Sequence, residues 1–239
     1  MFKKILMISI GAFLCINLYG CGSDEKKLDM SLVDYFEKTY YVIEFEYDED
    51  TLDEEDEVEK VDGILTLKPL EERRKLKIYR MTSGVKEVPA EYMYDCYNMK
   101  YLEIADTVEV IGEKSFYNCS ALEYIFIPNS VKTMGIGAFE KCKSLERVRL
   151  SENLTRIEDY TFKNCVKLEM VNIPKGVTYI GESAFQGCVA LENVKIPETV
   201  TYIGEDAFDE CTSLMYLEIP FGCKIEEGAI PKNCRVVFK

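Results

Sequence analysis

Neither histidine nor tryptophan occurs anywhere in the 239 residues. Without histidine there is no Ser-His-Asp or Cys-His pair, no imidazole base and no imidazole metal ligand. Without tryptophan the broadest aromatic platform for a sugar ring is missing. No Cys-x-x-Cys pair exists to gather four thiolates around one ion, so no metal or cofactor is expected. An enzyme is not expected either. Carboxylates are numerous enough for a hydrolytic pair to arise by chance, yet no spacing marks one. Positive charge is also scarce: 29 lysines and arginines face 43 acids, for a net charge of −14. That balance excludes nucleic acid and an anionic membrane face as electrostatic partners. The acid is unevenly spread, with ten carboxylates and no base between Glu46 and Glu59. This run lacks the glycine and the donor spacing of an EF-hand, so it reads as a solvated acidic loop.

What is present is a repeat. Cysteines stand at 96, 119, 142, 165, 188, 211 and 234, each 23 residues after the last. Between them one phrase recurs: Leu145-Glu-Arg-Val148-Arg-Leu150, Leu168-Glu-Met-Val171-Asn-Ile173-Pro174 and Leu191-Glu-Asn-Val194-Lys-Ile196-Pro197. Each continues into a second apolar triplet, such as Val177, Ile180 and Phe185, or Val200, Ile203 and Phe208. A fixed period of this length means stacked supersecondary units, none able to bury its apolar face alone. The alternating end of the phrase predicts one short strand per unit, and stacking makes these a parallel sheet with neighbours about 4.8 Å apart. Proline then stops the pairing at Pro128, Pro174, Pro197 and Pro220.

A glycine turn followed by Ala-Phe, as in Gly204-Glu-Asp-Ala207-Phe208, predicts a short second strand or extended run. A tight helical turn would then carry the chain back. The whole pattern resembles the 23-residue leucine-rich repeat of the BspA-like (Treponema pallidum) type, over roughly Val85 to Cys234. The resemblance implies a solenoid with a parallel sheet on its concave face and short helical or extended turns. One unit departs from the pattern, with Glu158-Asp-Tyr-Thr161 where Gly-x-x-Ala belongs. The final unit carries one extra residue, and proline in place of phenylalanine. The seven thiols are read as a buried ladder of free cysteines, because equivalent side chains in a stack point in parallel and a disulfide needs facing Cβ vectors. Bridging in an exported chain is the alternative. Cys223 takes the place of Val200 and reads as core.

Ahead of the repeats lie three further segments. Residues 1–20 read as a signal peptide, with Lys3 and Lys4 before an apolar run from Ile5 to Leu18 that is short for a bilayer span. Leu18-Tyr19-Gly20-Cys21 resembles the lipobox of bacterial lipoproteins, although Tyr19 is bulkier than that motif usually carries. The resemblance implies acylation of Cys21 and a chain exported to the bacterial membrane or cell surface on that lipid. An ordinary secretory signal, with Cys21 merely near the cut, is the other reading. Residues 21–27 form a tether, and 28–74 an α+β cap containing the acidic loop at 46–59. Within that cap, Leu28, Leu32, Phe36 and Tyr40 fit an amphipathic helix, Tyr41–Tyr47 a strand, and Ile64–Leu67 another. The solenoid is expected over 75–239, with its C-terminal cap from about 221.

Function, on this reading, belongs to the outward side chains of the stacked strands. The third place of the phrase gives Tyr101, Tyr124, Arg147, Met170, Asn193 and Tyr216 down the stack. The fifth gives Glu103, Phe126, Arg149, Asn172, Lys195 and Glu218. Aromatics and arginines are the types that supply most interface energy. The candidate partner site is therefore Tyr101, Tyr124, Phe126, Arg147, Arg149, Met170, Asn172, Asn193, Lys195 and Tyr216, facing a protein ligand and, in the family, adhesion. Phe126 is expected exposed among basic neighbours. A glycan ligand, a passive role in the envelope, and a random strip on which tyrosine merely favours strands are the alternatives.

Overall fold

The computed structural model describes residues 70–81 and 83–239, with the backbone of four two-residue strands ahead of them. Two compact units are present, residues 1–53 and 54–239. In the first, Ile5–Leu6 pairs antiparallel with Phe45–Glu46. In the second, Lys60–Val61 pairs antiparallel with Ile64–Leu65 before the repeats begin. Cys21, the tether, the expected helix at 28–40 and the acidic loop at 47–59 lie outside the described residues.

From Ile78 onward the chain is a parallel solenoid. One three-residue strand from each turn builds a six-stranded sheet: Ile78–Arg80, Tyr101–Glu103, Tyr124–Phe126, Arg147–Arg149, Met170–Asn172 and Asn193–Lys195. Register is exact to the repeat, with Tyr101 opposite Tyr124, Tyr124 opposite Arg147, and Arg147 opposite Met170. The middle residue of each strand is apolar and turns inward, as the two-residue pleat requires. Leu102, Ile125, Val148 and Val171 are all buried.

Past each long strand the chain makes a two-residue strand on a second face. These short strands form two ladders: Glu87–Val88, Val110–Ile111 and Thr133–Met134, then Arg156–Ile157, Tyr179–Ile180, Tyr202–Ile203 and Lys224–Ile225. The gap falls in the turn where Glu158 replaces glycine. At the equivalent glycines a side chain has no room. A Cβ on Gly112 would lie 2.5 Å from Ala90 N, and one on Gly204 2.6 Å from Glu182 N. With glycine the amide reaches the turn below, as from Gly181 to Ile157 O at 2.9 Å. Glu158 cannot sit so close, and no such bond joins it to Met134.

The return segment is not helical. Among the described residues the one α-helix is Leu70–Arg73, ahead of the first turn. The return is instead a run of tight turns bonded to the next unit. Glu91 N donates to Glu113 O at 2.8 Å, Met93 N to Ser115 O at 2.6 Å and Asp95 N to Tyr117 O at 2.9 Å. The pattern then repeats up the stack. Two places in each of the six return segments between Glu91 and Glu210 take left-handed backbone, for example Lys114 (φ 50°) and Asn118 (φ 56°), or Tyr160 (φ 59°) and Asn164 (φ 61°). This conformation, rather than a helix, aims successive amides along the solenoid axis.

Two columns fill the interior. Phe116, Phe139, Phe162, Phe185 and Phe208 stack with ring centroids 5.2, 5.8, 5.5 and 5.2 Å apart. Beside them run the cysteines, free and fully buried from Cys96 to Cys211. Each thiol from Cys119 onward donates to a carbonyl one turn earlier: Cys119 to Met93 O, Cys142 to Phe116 O, Cys165 to Phe139 O, Cys188 to Phe162 O and Cys211 to Phe185 O, at 3.1–3.3 Å. Cysteine is thus a filler small enough for the site that also satisfies a buried acceptor.

The seventh thiol departs from this pattern. Cys234 is only partly buried, and Cys223 packs against the core without being enclosed. The last turn is also distributed differently from the expected single insertion. Ile225 stands opposite Ile203, 22 residues on, while Cys234 keeps the full 23 from Cys211. One residue is missing before Ile225, and an extra one after Ala229 restores the phase.

Candidate binding face

The six strands place the predicted strip on one surface. Arg147, Met170, Asn172, Asn193, Lys195 and Tyr216 are exposed, while Tyr101, Tyr124, Phe126 and Arg149 are half-buried. Two rows result. The third-place row runs Tyr101, Tyr124, Arg147, Met170 and Asn193, and the fifth-place row runs Glu103, Phe126, Arg149, Asn172 and Lys195.

Two expectations change. Phe126 is not an exposed ring, since the Arg149 guanidinium lies over it, 5.1 Å from the centroid. A cation on an aromatic face gains from the ring quadrupole and shields apolar surface. Burial also holds the Arg149 pKa below the usual arginine range, although the group stays charged at any physiological pH. Tyr216 does not continue the sheet. Its strand, Tyr216–Ile219, pairs with Arg235–Phe238 and makes no ladder with Asn193–Lys195. Tyr216 therefore sits beyond a break, with its hydroxyl donating to Glu218 at 3.0 Å.

Charge along the face is graded. At one end Arg80 lies 3.4 Å from Glu103, and at the other Lys239 lies 2.9 Å from Glu218. That last contact holds the Glu218 carboxyl below the usual carboxylate range. Tyr124 donates to Glu146 at 3.1 Å, and burial with that bond raises its phenol pKa. Glu146 in turn lies 3.6 Å from Lys167. In the middle the pattern stops. Among the described residues no carboxylate comes within ion-pair distance of Arg147, Arg149 or Lys195.

Reading from the repeat phrase missed residues at both ends of the face. Arg80 occupies the fifth place of the first strand, and its phase was readable from Leu76-Lys-Ile-Tyr79-Arg-Met81. Arg235, opposite Tyr216, lies where the last turn loses the motif, so no residue pattern signalled it. Among the described residues no group of histidine, cysteine or carboxylate side chains is arranged to hold a metal ion.

Three solved bacterial structures share this architecture. A Treponema pallidum leucine-rich repeat protein is 26% identical, with a TM-score of 0.57, over 68% of this chain and 72% of that one. A Eubacterium ventriosum leucine-rich repeat protein gives 25% and 0.60 over 65% of this chain and 42% of its own. One from Bacteroides ovatus gives 27% and 0.51 over 62% and 44%. The chain thus spans less than half the length of the last two. No curated protein matches it. Six copies of the BspA type leucine-rich repeat match residues 86–215, more than half of the sequence, and the chain belongs to that family.

Proposed function

We propose that this chain is a bacterial surface protein, held by lipid on Cys21, that captures another protein through its six-stranded face. The observation that carries the reading is that Arg147 and Arg149, mid-sheet, and Lys195, on the last strand of the sheet, form no ion pair among the described residues of a molecule of net charge −14. In so acidic a protein, cations whose neighbouring carboxylates (Glu152 for Arg149, Glu218 for Lys195) act only from beyond ion-pair distance leave room for a partner to supply the anion. Met170 and the Arg149-covered Phe126 add apolar contact next to them.

The reading is one of binding rather than catalysis. The strip carries no histidine, cysteine or carboxylate among its candidate contacts, and its residue types suit contact rather than proton transfer. A glycan is less well served than a protein. The central rows present no open aromatic ring, because Phe126 is covered and Tyr101 and Tyr124 are half-buried. Replacing Phe126, Arg147 and Arg149 together by alanine should abolish capture of the partner from surface extracts while the solenoid stays folded by circular dichroism. Capture that survives the triple replacement places binding elsewhere. Competition by free glycans instead of by protein assigns the ligand to sugar, and no capture at all leaves a passive envelope role.

A further inference from the structure

The cations of this face have a spacing as well as a sign. Arg149 and Lys195 lie in the same row two strands apart, with Asn172 between them. Two strand spacings in a parallel sheet amount to about 9.6 Å. In polyproline II conformation the chain makes three residues per turn at about 3.1 Å each, so side chains three apart fall on one side at about 9.3 Å. In a β-strand the same-side interval is two residues, about 6.6 Å, which matches neither one strand spacing nor two. The sheet therefore measures out an acid-x-x-acid interval for an extended segment lying along the solenoid axis.

The flanks support the same orientation. Glu123, Glu146, Glu169 and Glu192 form a column one place before the third-place row, where the strands begin. The cations of the fifth place lie at the far ends of the strands, as far from that column as the face allows. An acidic segment is thus repelled at one edge and attracted at the other, which fixes its lateral position. Asn172 lies where a backbone amide of the segment would pass, and offers both a donor and an acceptor. Met170, on the same strand as Asn172, flanks the track for the two residues between the acids.

We propose that the occupant of this face is an extended acidic peptide segment of a partner protein, held by two carboxylates three residues apart on Arg149 and Lys195. This rests on the binding role proposed above for the same face.

The test uses the full chain and three fluorescein-labelled twelve-residue peptides in a proline-rich background. One carries glutamate at every third position, one carries the same number at every second position, and one carries lysine at every third. Anisotropy should show the every-third glutamate peptide binding about tenfold tighter than the every-second one, a difference of about 1.4 kcal/mol. The lysine peptide should not bind. Lys195→Ala, on an exposed side chain, and Arg149→Lys, which keeps a cation over Phe126 but loses the bidentate fork, should each weaken the first peptide severalfold. Arg156→Ala, a cation on the second face, should leave it unchanged.

Equal binding of the two glutamate peptides overturns the spacing, and indifference to Lys195→Ala overturns the site. Polygalacturonate outcompeting the glutamate peptide at equal charge overturns the peptide class in favour of an acidic glycan. Failure here is separable from failure of the face itself. If no peptide binds, yet the triple replacement of Phe126, Arg147 and Arg149 still abolishes capture from extracts, the acidic-segment proposal falls and the binding face stands.

Discussion

The six-stranded face and the ladder of short strands are made by the same turns, yet they are interrupted at different places. The first runs unbroken from Ile78 to Lys195 and stops before Tyr216, whereas the second stops between Met134 and Arg156 and runs on to Ile225. The short ladder depends on backbone lying flush against backbone, which glycine alone permits, so one glutamate opens it. The long face depends on pleated strands whose side chains point away from their neighbours. It tolerates Tyr, Arg, Met or Asn at the same place. What crosses both gaps is the interior. Phe139 stacks on Phe162, and Cys165 bonds Phe139 O, beneath the first gap. At the second gap Ile230 and Cys234 follow Phe208 and Cys211 in the columns and remain packed against the core. Continuity of the solenoid therefore lies in its core columns, and either surface ladder can lapse locally without dividing it.

The harshest way to break this comparison is to attack what the two gaps share. Burial raises the Cys142 and Cys211 thiols to about 12 and the Cys96 thiol to about 11. The folded state thus keeps protons that the unfolded chain gives up near 9. Stability from this source is fully present below about pH 9 and is lost as pH rises from there toward 12. Alkaline titration followed by far-ultraviolet circular dichroism should show cooperative loss of the fold in that window. Thiol reagents should leave Cys119 to Cys211 unmodified at pH 8 and label Cys223 and Cys234, which are partly exposed. Rapid modification of all these thiols in native protein would contradict the buried column.

A smaller but still large effect is expected from Phe162→Ala, which interrupts the ring stack directly under the Glu158 gap. The loss should be about 3–5 kcal/mol, measured by urea unfolding. Because the outer ladder is already open at this turn, the transition should also broaden, or split in two, as neighbour coupling fails. Phe185→Ala, under a closed ladder, should cost a similar amount and keep a single transition. If both variants unfold alike, the outer ladders contribute nothing to cooperativity.

Next comes Gly181→Ala. Its Cβ would meet Asp159 N at 2.5 Å, so the turn must shift and the ladder open, at about 1–3 kcal/mol. The reciprocal change, Glu158→Gly, should close the first gap. It loses the exposed Arg156–Glu158 pair at 2.7 Å, which contributes about 0.2–1 kcal/mol at most. The smallest effect is kinetic. The amide of residue 158 should exchange quickly in the natural protein and slowly in Glu158→Gly, matching Gly181 and Gly204. Slow exchange at Glu158 in the natural protein would mean that the gap is not there.

Much of this was legible in the sequence because a repeat reports its own geometry. The interval between cysteines set the turn length, and alternation in Leu-x-x-Val-x-Ile chose the strand and its buried face. The departure at Glu158-Asp-Tyr-Thr161 marked the turn where the second ladder opens. The outward strip was legible as well, since third and fifth places of one phrase must share a face once the phrase repeats in register.

Other features were settled only by the packed chain. Whether Phe126 is open or covered depends on an arginine 23 residues away, and whether Arg147 has a carboxylate partner depends on side-chain reach across strands. The return segment was expected to hold a tight helical turn, but alternate amides bond to the next turn of the solenoid, which local propensity cannot reveal. Cys234 and Tyr216 belong to the pattern in sequence and leave it in space, since Cys234 is only partly buried and the sheet breaks before Tyr216. Periodicity in the chain thus determined what stacks, by the inability of one turn to bury itself. Contacts between turns decided which side chains are left for a partner, because exposure is a property of neighbours and not of residues.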